Sequence, residues 1–231
     1  MRKELLIVIP AYNEKDNIEN TVNLLKEQYQ QYDYVVVNDG SRDKTADICR
    51  DNNYNLLDLP VNLGLAGAFQ TGMKYAYEQG YDYAIQFDAD GQHRPEFIES
   101  MLNKMKEGHD IVIGSRFVDE RKDKSLRMLG SRVITIAIKL TTKVRIADPT
   151  SGMRMYSKSM IEEFAKNINY GPEPDTISYL IKNGASVAEV KALMDERQFG
   201  ESYLNVVNSI KYMVKMLISI LVVQNFRKRN H

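Results

Sequence analysis

What most restricts the fold of this chain is the way short apolar runs alternate with polar, glycine-bearing turns and helical stretches. Leu5-Leu6-Ile7-Val8-Ile9 is a continuous apolar run, the pattern of a strand buried on both faces of a parallel sheet. Pro10-Ala11-Tyr12-Asn13-Glu14 follows as a loop, and Asn13 or Asp16 is placed to cap a helix reaching about Gln30. Tyr34-Val35-Val36-Val37 is the second strand and ends in Asn38-Asp39-Gly40-Ser41-Arg42-Asp43, where Asp43 caps a helix through Arg50. A third strand, near residues 55–59, leads to Asn62-Leu63-Gly64-Leu65-Ala66-Gly67-Ala68 and a helix ending near Gly80. The fourth strand runs into Asp88-Ala89-Asp90-Gly91-Gln92-His93, and Pro95 sits in the first turn of the next helix, where its missing N–H is harmless. Ile111-Val112-Ile113 is a fifth strand, closed by Gly114-Ser115-Arg116. This alternation predicts a doubly wound, mainly parallel α/β sheet flanked by helices, with ligands bound outside the carboxyl ends of the strands. Asp39, Asp88, Asp90 and Arg116 all fall on that edge.

Past residue 116 the pattern loosens. Residues 126–142 are apolar with Arg127, Arg132 and Lys139 set among them, which predicts an amphipathic basic helix. Asp148-Pro149-Thr150-Ser151-Gly152-Met153-Arg154 reads as a turn into a short strand over 153–156. Tyr170-Gly171-Pro172-Glu173-Pro174-Asp175 reads as a rigid acidic loop opening a helix to Asn183, residues 187–190 as an edge strand, and residues 196–202 as a mobile loop. No linker divides the chain, so one α/β domain is expected over residues 1–203, followed by an amphipathic helical tail over 204–231. A chain of 231 residues is long enough for a substantial core. The tail is apolar at helical spacing, interrupted by Lys211 and Lys215 and ending in Arg227-Lys228-Arg229. Its uninterrupted apolar stretches fall short of the ~18 residues a bilayer span requires. It can lie on a membrane surface or against a membrane-protein partner; packing back on the sheet is the other arrangement open to it.

Composition excludes more than it selects. Lysine plus arginine equals aspartate plus glutamate, 31 each, so no bulk charge points to nucleic acid. The single cysteine, Cys49, rules out an internal disulfide and fits a reducing compartment, where it reads as a small buried hydrophobe. Met1-Arg2-Lys3 ahead of the first apolar run imitates a signal peptide, but that run is too short and meets Asn13-Glu14 without a cleavage site, so it is read as a strand. Neither a Walker-type Gly-x-x-x-x-Gly-Lys nor a Gly-x-Gly-x-x-Gly is present.

The residues that carry chemistry begin at Asp88 and Asp90. Two carboxylates at i and i+2, on a strand end followed by glycine, can be aimed at one point. Joined by the Gln92 carboxamide or the His93 imidazole, they suit a hard divalent cation that keeps waters and takes further oxygens from a phosphate. A solvated Asp-Gly turn is the plainer use of the same residues.

Taken together, Pro10-Ala11-Tyr12-Asn13-Glu14, Asn38-Asp39-Gly40-Ser41-x-Asp43, Asn62-x-Gly64, Asp88-x-Asp90-Gly91-Gln92-His93, Gly114-Ser115-Arg116, Asp148-x-x-Ser151-Gly152-x-Arg154 and Arg197-x-x-Gly200-Glu201-Ser202 occur in this order. The chain resembles family 2 glycosyltransferases of the GT-A fold, most of all the branch of dolichol- and polyprenyl-phosphate sugar synthases, over about residues 4–203. Asn38 departs from the pattern, in which Asp is common there, and Asp39 is left as the residue expected to hold the nucleotide. The resemblance implies Mg²⁺ or Mn²⁺ on Asp88, Asp90 and Gln92, neutralising the diphosphate that leaves a sugar nucleotide. It implies a donor site built from Pro10, Ala11, Tyr12, Glu14, Asp39, Gly67, Asp88, Ala89, Asp90, Arg116 and Arg197, with Arg197 closing on the diphosphate. Tyr12 as a core aromatic and Arg197 as a surface charge are the competing readings.

On the acceptor side, Arg127, Ser131 and Arg132 are placed like residues that hold an acceptor phosphate near the membrane, though helix-face arginines are often simply solvated. Asp148 or Asp175 can deprotonate an acceptor hydroxyl; a phosphate acceptor requires no base. The expectation is therefore a metal-dependent, inverting glycosyltransferase at the cytoplasmic face of a membrane. Its acceptor would be polyprenyl phosphate or, alternatively, a sugar hydroxyl of a growing cell-surface polysaccharide, and homo-oligomerisation is left open. A sugar nucleotidyltransferase would want a glycine-rich basic loop after the first strand, which Pro10–Glu14 is not. A non-catalytic sugar-nucleotide-binding subunit would not need Asp39, Asp88, Asp90 and Arg197 together.

Overall fold

The computed structural model describes residues 3–119, 126–167, 170–195 and 206–227. Strands β1 (Leu5–Ala11), β2 (Asp33–Asn38), β3 (Leu56–Asp58), β4 (Tyr83–Gln86), β5 (Ile111–Ser115), β6 (Arg154–Ser157) and β7 (Val187–Lys191) form one seven-stranded sheet. Its order is β3-β2-β1-β4-β6-β5-β7, and β6 alone runs antiparallel, to both β4 and β5. The parallel majority is what the alternation predicts. The reversal of β6 is not legible in its residues, because a four-residue run carries no direction. It matters for the site: the amino end of β6 now lies at the carboxyl end of β4, with Arg154 paired to Gln86.

The pleat of β1 shows why its residues are apolar throughout. Leu6 and Val8 enter one core, and Leu5, Ile7 and Ile9 the other. Helices α1 (Ile18–Gln28), α2 (Thr45–Asp51) and α4 (Ile98–Lys106) cover the second face. The first is covered by α3 (Gly64–Gln79), α5 (Leu126–Thr142), α6 (Lys158–Lys166), α7 (Pro174–Lys182) and α8 (Val206–Leu221). Each fully buried Leu, Ile or Phe stabilises the fold by ~1.5–3 kcal/mol relative to exposure.

Two local expectations change. Asn13 does not cap α1; it has a φ of 57° and its side-chain oxygen accepts the Arg42 backbone N–H at 2.9 Å, pinning two site loops together. Helix α6 has no counterpart in the sequence reading, and it buries Ile161 and Phe164, the latter edge-on to Phe69 at 5.0 Å between ring centres. Asp43 acts at the start of α2 as expected, accepting the Thr45 N–H at 2.9 Å.

Within the tail, α8 packs on α5 and α7, burying Met216 and Ile220 in the same core as the sheet. Its outward residues Ile210, Val214 and Ile218 stay about half exposed. Among the described residues no helix is long and apolar enough to cross a membrane.

Candidate active site

A cavity of about 1000 Å³ opens at the carboxyl ends of β1, β2 and β4. It gathers Tyr12 and Asp39 from the first two loops, Asp88, Gln92 and His93 from the third, and Arg116, Thr150, Gly152, Arg154 and Glu173 from the later ones.

At the end beside β1 and β2, the Asp39 N–H donates to the Ala11 carbonyl at 2.8 Å, and its carboxylate accepts the Leu63 N–H at 2.7 Å. The intervening Gly40 has a φ of +62°, and a Cβ there would stand 2.6 Å from the Val61 carbonyl carbon. Asn38 has its own explanation: its side-chain amide donates to Asp58 at 2.7 Å, and Asp58 also takes Arg50. An aspartate at 38 would set two carboxylates against each other, so asparagine suits this neighbour. Tyr12 is exposed at the cavity mouth, not a core aromatic. Pro10 and Ala11 belong to β1, Glu14 holds Asn17 and the start of α1, and the Ala89 carbonyl accepts the Thr21 hydroxyl at 3.0 Å. Gly67 stands in α3 against Leu63; its neighbours Gly64 and Leu65 are the residues on the cavity.

The Asp-x-Asp turn treats its two carboxylates differently. The Asp88 side chain is 36% exposed and faces the cavity, with one oxygen accepting Gln86 Nε2 at 3.0 Å. Its backbone N–H donates to His93 Nδ1 at 2.9 Å, so the ring proton lies on Nε2, 3.5 Å from the other Asp88 oxygen. Asp90 is buried and accepts the Gln92 N–H at 3.1 Å, which closes the turn. Gly152, brought here by the reversed β6, leaves the space beside Asp88 open: a Cβ would come within 2.8 Å of its carboxylate. Asp88 with Gln92 is an open, oxygen-donating set, which fits Mg²⁺ or Mn²⁺ completed by substrate and water oxygens. Among the described residues no three His, Cys, Asp or Glu side chains cluster as a closed metal cage.

The turn is tied to the end of β7. His93 bridges Met194, the Asp195 N–H donates to the Gln92 carbonyl at 2.9 Å, and Arg94 Nε donates to the Asp195 carboxylate at 2.8 Å. That pair raises the Arg94 guanidinium and lowers the Asp195 carboxyl from their ordinary values, chiefly through the hydrogen bond they share.

At the other end, the expected bases are not open to a reacting proton. Asp148 is wholly buried, and Arg116 grips both its oxygens at 2.7 and 2.9 Å. This corrects the assignment of Asp148 as a base; Arg116, expected in the donor site, does line the cavity while its Nε and Nη2 are spent on Asp148. Glu189 of β7 holds the same turn, accepting the Ala147 and Asp148 N–H groups at 2.6 and 2.8 Å. Asp175 lies off this cavity altogether. Its carboxylate accepts the Ser219 hydroxyl at 2.6 Å and Arg227 at 3.3 Å, both from the tail. Ser131 is buried, 3.4 Å from the Thr150 hydroxyl on the cavity wall, and Arg132 follows it on α5, half-buried. The side chain of Arg127, and Arg197 altogether, lie outside the described residues.

Four residues of this end carry no assigned role in the sequence reading: Arg154, Glu173, Glu189 and Tyr212. Arg154 is buried, donating to the carbonyls of Pro149 at 2.7 Å and of Pro172, and among the described residues no carboxylate stands within ion-pair distance of it. A lone arginine between Met153 and Met155, and a lone glutamate in Val187-Ala188-Glu189-Val190, are the signals that mark two of them. Tyr212 of α8 donates to Glu173, and burial first, then Glu173, pushes its hydroxyl far above the ordinary tyrosine range.

An α/β sheet whose strand ends carry an open carboxylate turn and a nucleotide-sized cavity defines a class that comparison with known proteins identifies. Residues 6–164 match the model of glycosyl transferase family 2, and the chain belongs to that family. It is a glycosyltransferase. The polyprenol monophosphomannose synthase of Mycolicibacterium smegmatis is 28% identical, over 91% of this chain and 84% of its own length. The UDP-N-acetylglucosamine–dolichyl-phosphate N-acetylglucosaminyltransferase of Methanococcus voltae is 30% identical, over 81% and 84%. Among solved structures, glucosyl-3-phosphoglycerate synthase from Mycobacterium tuberculosis in complex with phosphoglyceric acid superposes with a TM-score of 0.73 at 17% identity, covering 99% of this chain and 82% of that one. At that identity the likeness speaks for the GT-A fold.

Proposed function

We propose that this protein is a metal-dependent, inverting glycosyltransferase that moves a sugar from a nucleotide-diphosphate sugar to polyprenyl phosphate at the cytoplasmic face of a membrane. The observation that carries this reading is the single cavity that holds Asp39 and Tyr12 at one end, Asp88 in the middle and Arg154 at the other. Base and ribose fit the first end, the diphosphate the middle and an anionic acceptor the last. Relatives named for dolichyl and polyprenol phosphate acceptors support the same assignment, and solved neighbours in complex with Mn²⁺ and UDP support the donor.

Asp88 and Gln92 would hold Mg²⁺ or Mn²⁺, with Asp90 bracing the turn; the ion supplies charge neutralisation for the departing diphosphate. One bond forms, between an acceptor phosphate oxygen and the anomeric carbon. One breaks, between that carbon and the diphosphate oxygen, which leaves with the electron pair as nucleoside diphosphate. An ionised phosphate needs no base, which accords with Asp148 and Asp175 both being engaged elsewhere. Arg154 gives the acceptor end a buried positive field, strong in a low-dielectric site, and Arg127, Ser131 and Arg132 guide the phosphate in. Arg197, six residues beyond β7 in the chain, would add charge over the diphosphate.

The outward faces of α5 and α8, with Leu129, Val133, Ile136 and Leu140 on one and Leu221 and Val222 by the other, suit the surface of a bilayer holding such an acceptor. Incubation with a panel of sugar nucleotides and Mn²⁺ or Mg²⁺, with and without a polyprenyl phosphate, tests the reading. Metal-dependent release of nucleoside diphosphate that requires the lipid phosphate is expected. Release that requires a carbohydrate hydroxyl instead, with the lipid inert, would overturn it.

A further inference from the structure

Gln86 closes β4 between Ile85 and Phe87, both buried, and is itself only 3% exposed. Its carboxamide is half used. Nε2 donates to Asp88 Oδ1 at 3.0 Å, while Oε1 is buried with no donor among the described residues. A buried acceptor left unmatched costs stability, and a leucine or methionine would fill the same space without that cost. Packing therefore does not account for the glutamine. Its bond to Asp88 does.

The surroundings show why the donor is an amide. Across the β4–β6 pair Gln86 stands opposite Arg154, and side chains directly opposite in an antiparallel pair share one face. Both line the reaction cavity. Arg154 nevertheless donates to the carbonyls of Pro149 and Pro172, and its Nε is buried without an acceptor among the described residues. Elsewhere on the cavity wall a guanidinium does reach a carboxylate: Arg116 takes both oxygens of Asp148. Asp88 is held differently. The Gln86 amide fixes one oxygen, the other stands 3.5 Å from His93 Nε2, and the side chain stays 36% exposed. An uncharged donor orients a carboxylate and leaves its negative charge for a metal ion, whereas an arginine or lysine in its place would compete with that ion.

We propose that Gln86 is a positioning residue for the metal site, its carboxamide fixing the Asp88 carboxylate for the ion without compensating its charge. The inference rests on the reading of Asp88 as a ligand of Mg²⁺ or Mn²⁺ and adds the residue that orients it. Stability and metal-dependent binding should therefore part at this position.

The variant Gln86→Met keeps the length of the side chain and removes both the hydrogen bond and the unmatched oxygen. Isothermal calorimetry measures the binding of a panel of nucleoside diphosphates to the full chain, with Mn²⁺ present and with metal chelated. The ratio of the two Kd values gives the gain in affinity that the ion supplies. Thermal denaturation without metal is followed beside it. Gln86→Met is expected to cut the Mn²⁺-dependent gain about 10–100-fold, or to nothing where the whole gain is smaller, the effect of losing a hydrogen-bond partner of a metal ligand. Its affinity with metal chelated should be unchanged and its Tm equal to or above that of the wild type. A gain that survives intact in Gln86→Met would overturn the assignment. So would a gain and a Tm that fall together, the signature of a residue that only packs. Asp88→Asn should abolish the gain altogether. A wild type in which Mn²⁺ adds nothing to the binding of any nucleoside diphosphate, or an Asp88→Asn variant that keeps the whole gain, would end the metal reading and this inference with it. Overturning the role of Gln86 alone requires a gain that depends on Asp88 and persists in Gln86→Met.

Discussion

The segments around Asp39 and Asp88 and those around Asp148 and Asp175 use the same residue types to opposite ends. In the first group the carboxylates anchor a backbone N–H or a turn and still face the cavity: Asp39 holds Leu63, and Asp88 is braced by Gln86 and His93. In the second group the carboxylates are consumed. Asp148 is locked to Arg116, and Asp175 to Ser219 and Arg227. A carboxylate with a guanidinium on both oxygens builds structure, whereas one left partly open to a cavity is available for chemistry. The Asp39 and Asp88 end is therefore open to the cavity on a finished scaffold, and the Asp148 and Asp175 end is scaffold in which the tail takes part.

The largest effect should come from removing that tail. A chain stopped before residue 204 loses Met216 and Ile220 from the core and strands Asp175. Burial of two large apolar side chains is worth ~3–6 kcal/mol, so thermal denaturation should show a sharply lowered Tm or no cooperative transition. A truncated domain as stable as the full chain would mean that α8 is an appendage and would erase the contrast.

The donor end should show the reverse pattern. Asp88→Asn is expected to reduce turnover by about 10²–10³-fold, the scale of losing one preorganised stabiliser of developing charge, with the Tm nearly unchanged. Equal losses of rate and stability would place Asp88 among the structural carboxylates.

Smaller again is Asp175→Asn, which should leave donor and acceptor KM near normal and cost about 1–3 kcal/mol through the weakened buried hydrogen bonds to the tail. Denaturant titration beside steady-state kinetics reads both. A rate loss of ~10²–10⁴-fold instead would be the signature of a general base and would move Asp175 to the chemistry.

This contrast also explains what could be read in advance. Strands β1, β2 and β5 are legible as apolar runs, and the loops around Asp39 and Asp88 because their key contacts join motifs that each stand at a strand end, as Asn13 to Arg42 and Asp39 to Leu63 do. The acceptor end depends on partners that no local pattern pairs. Glu189 reaches Asp148 from 41 residues away, and Ser219 reaches Asp175 from 44. The roles of Asp148 and Asp175 change for that reason: residue type suggests a base, and a distant partner claims each. The antiparallel entry of β6, which sets Gly152 against Asp88, is likewise a property of the whole sheet.

The central claim is that the sugar passes to a phosphate oxygen, an acceptor that needs no base, in a cavity walled by the buried Arg154. Phosphorus NMR of the product formed from a soluble prenyl phosphate tests it directly. The account predicts that the phosphomonoester resonance is replaced by that of a phosphodiester to the anomeric carbon, with one nucleoside diphosphate released per diester. A phosphomonoester left intact while the sugar appears on a carbohydrate hydroxyl would contradict it.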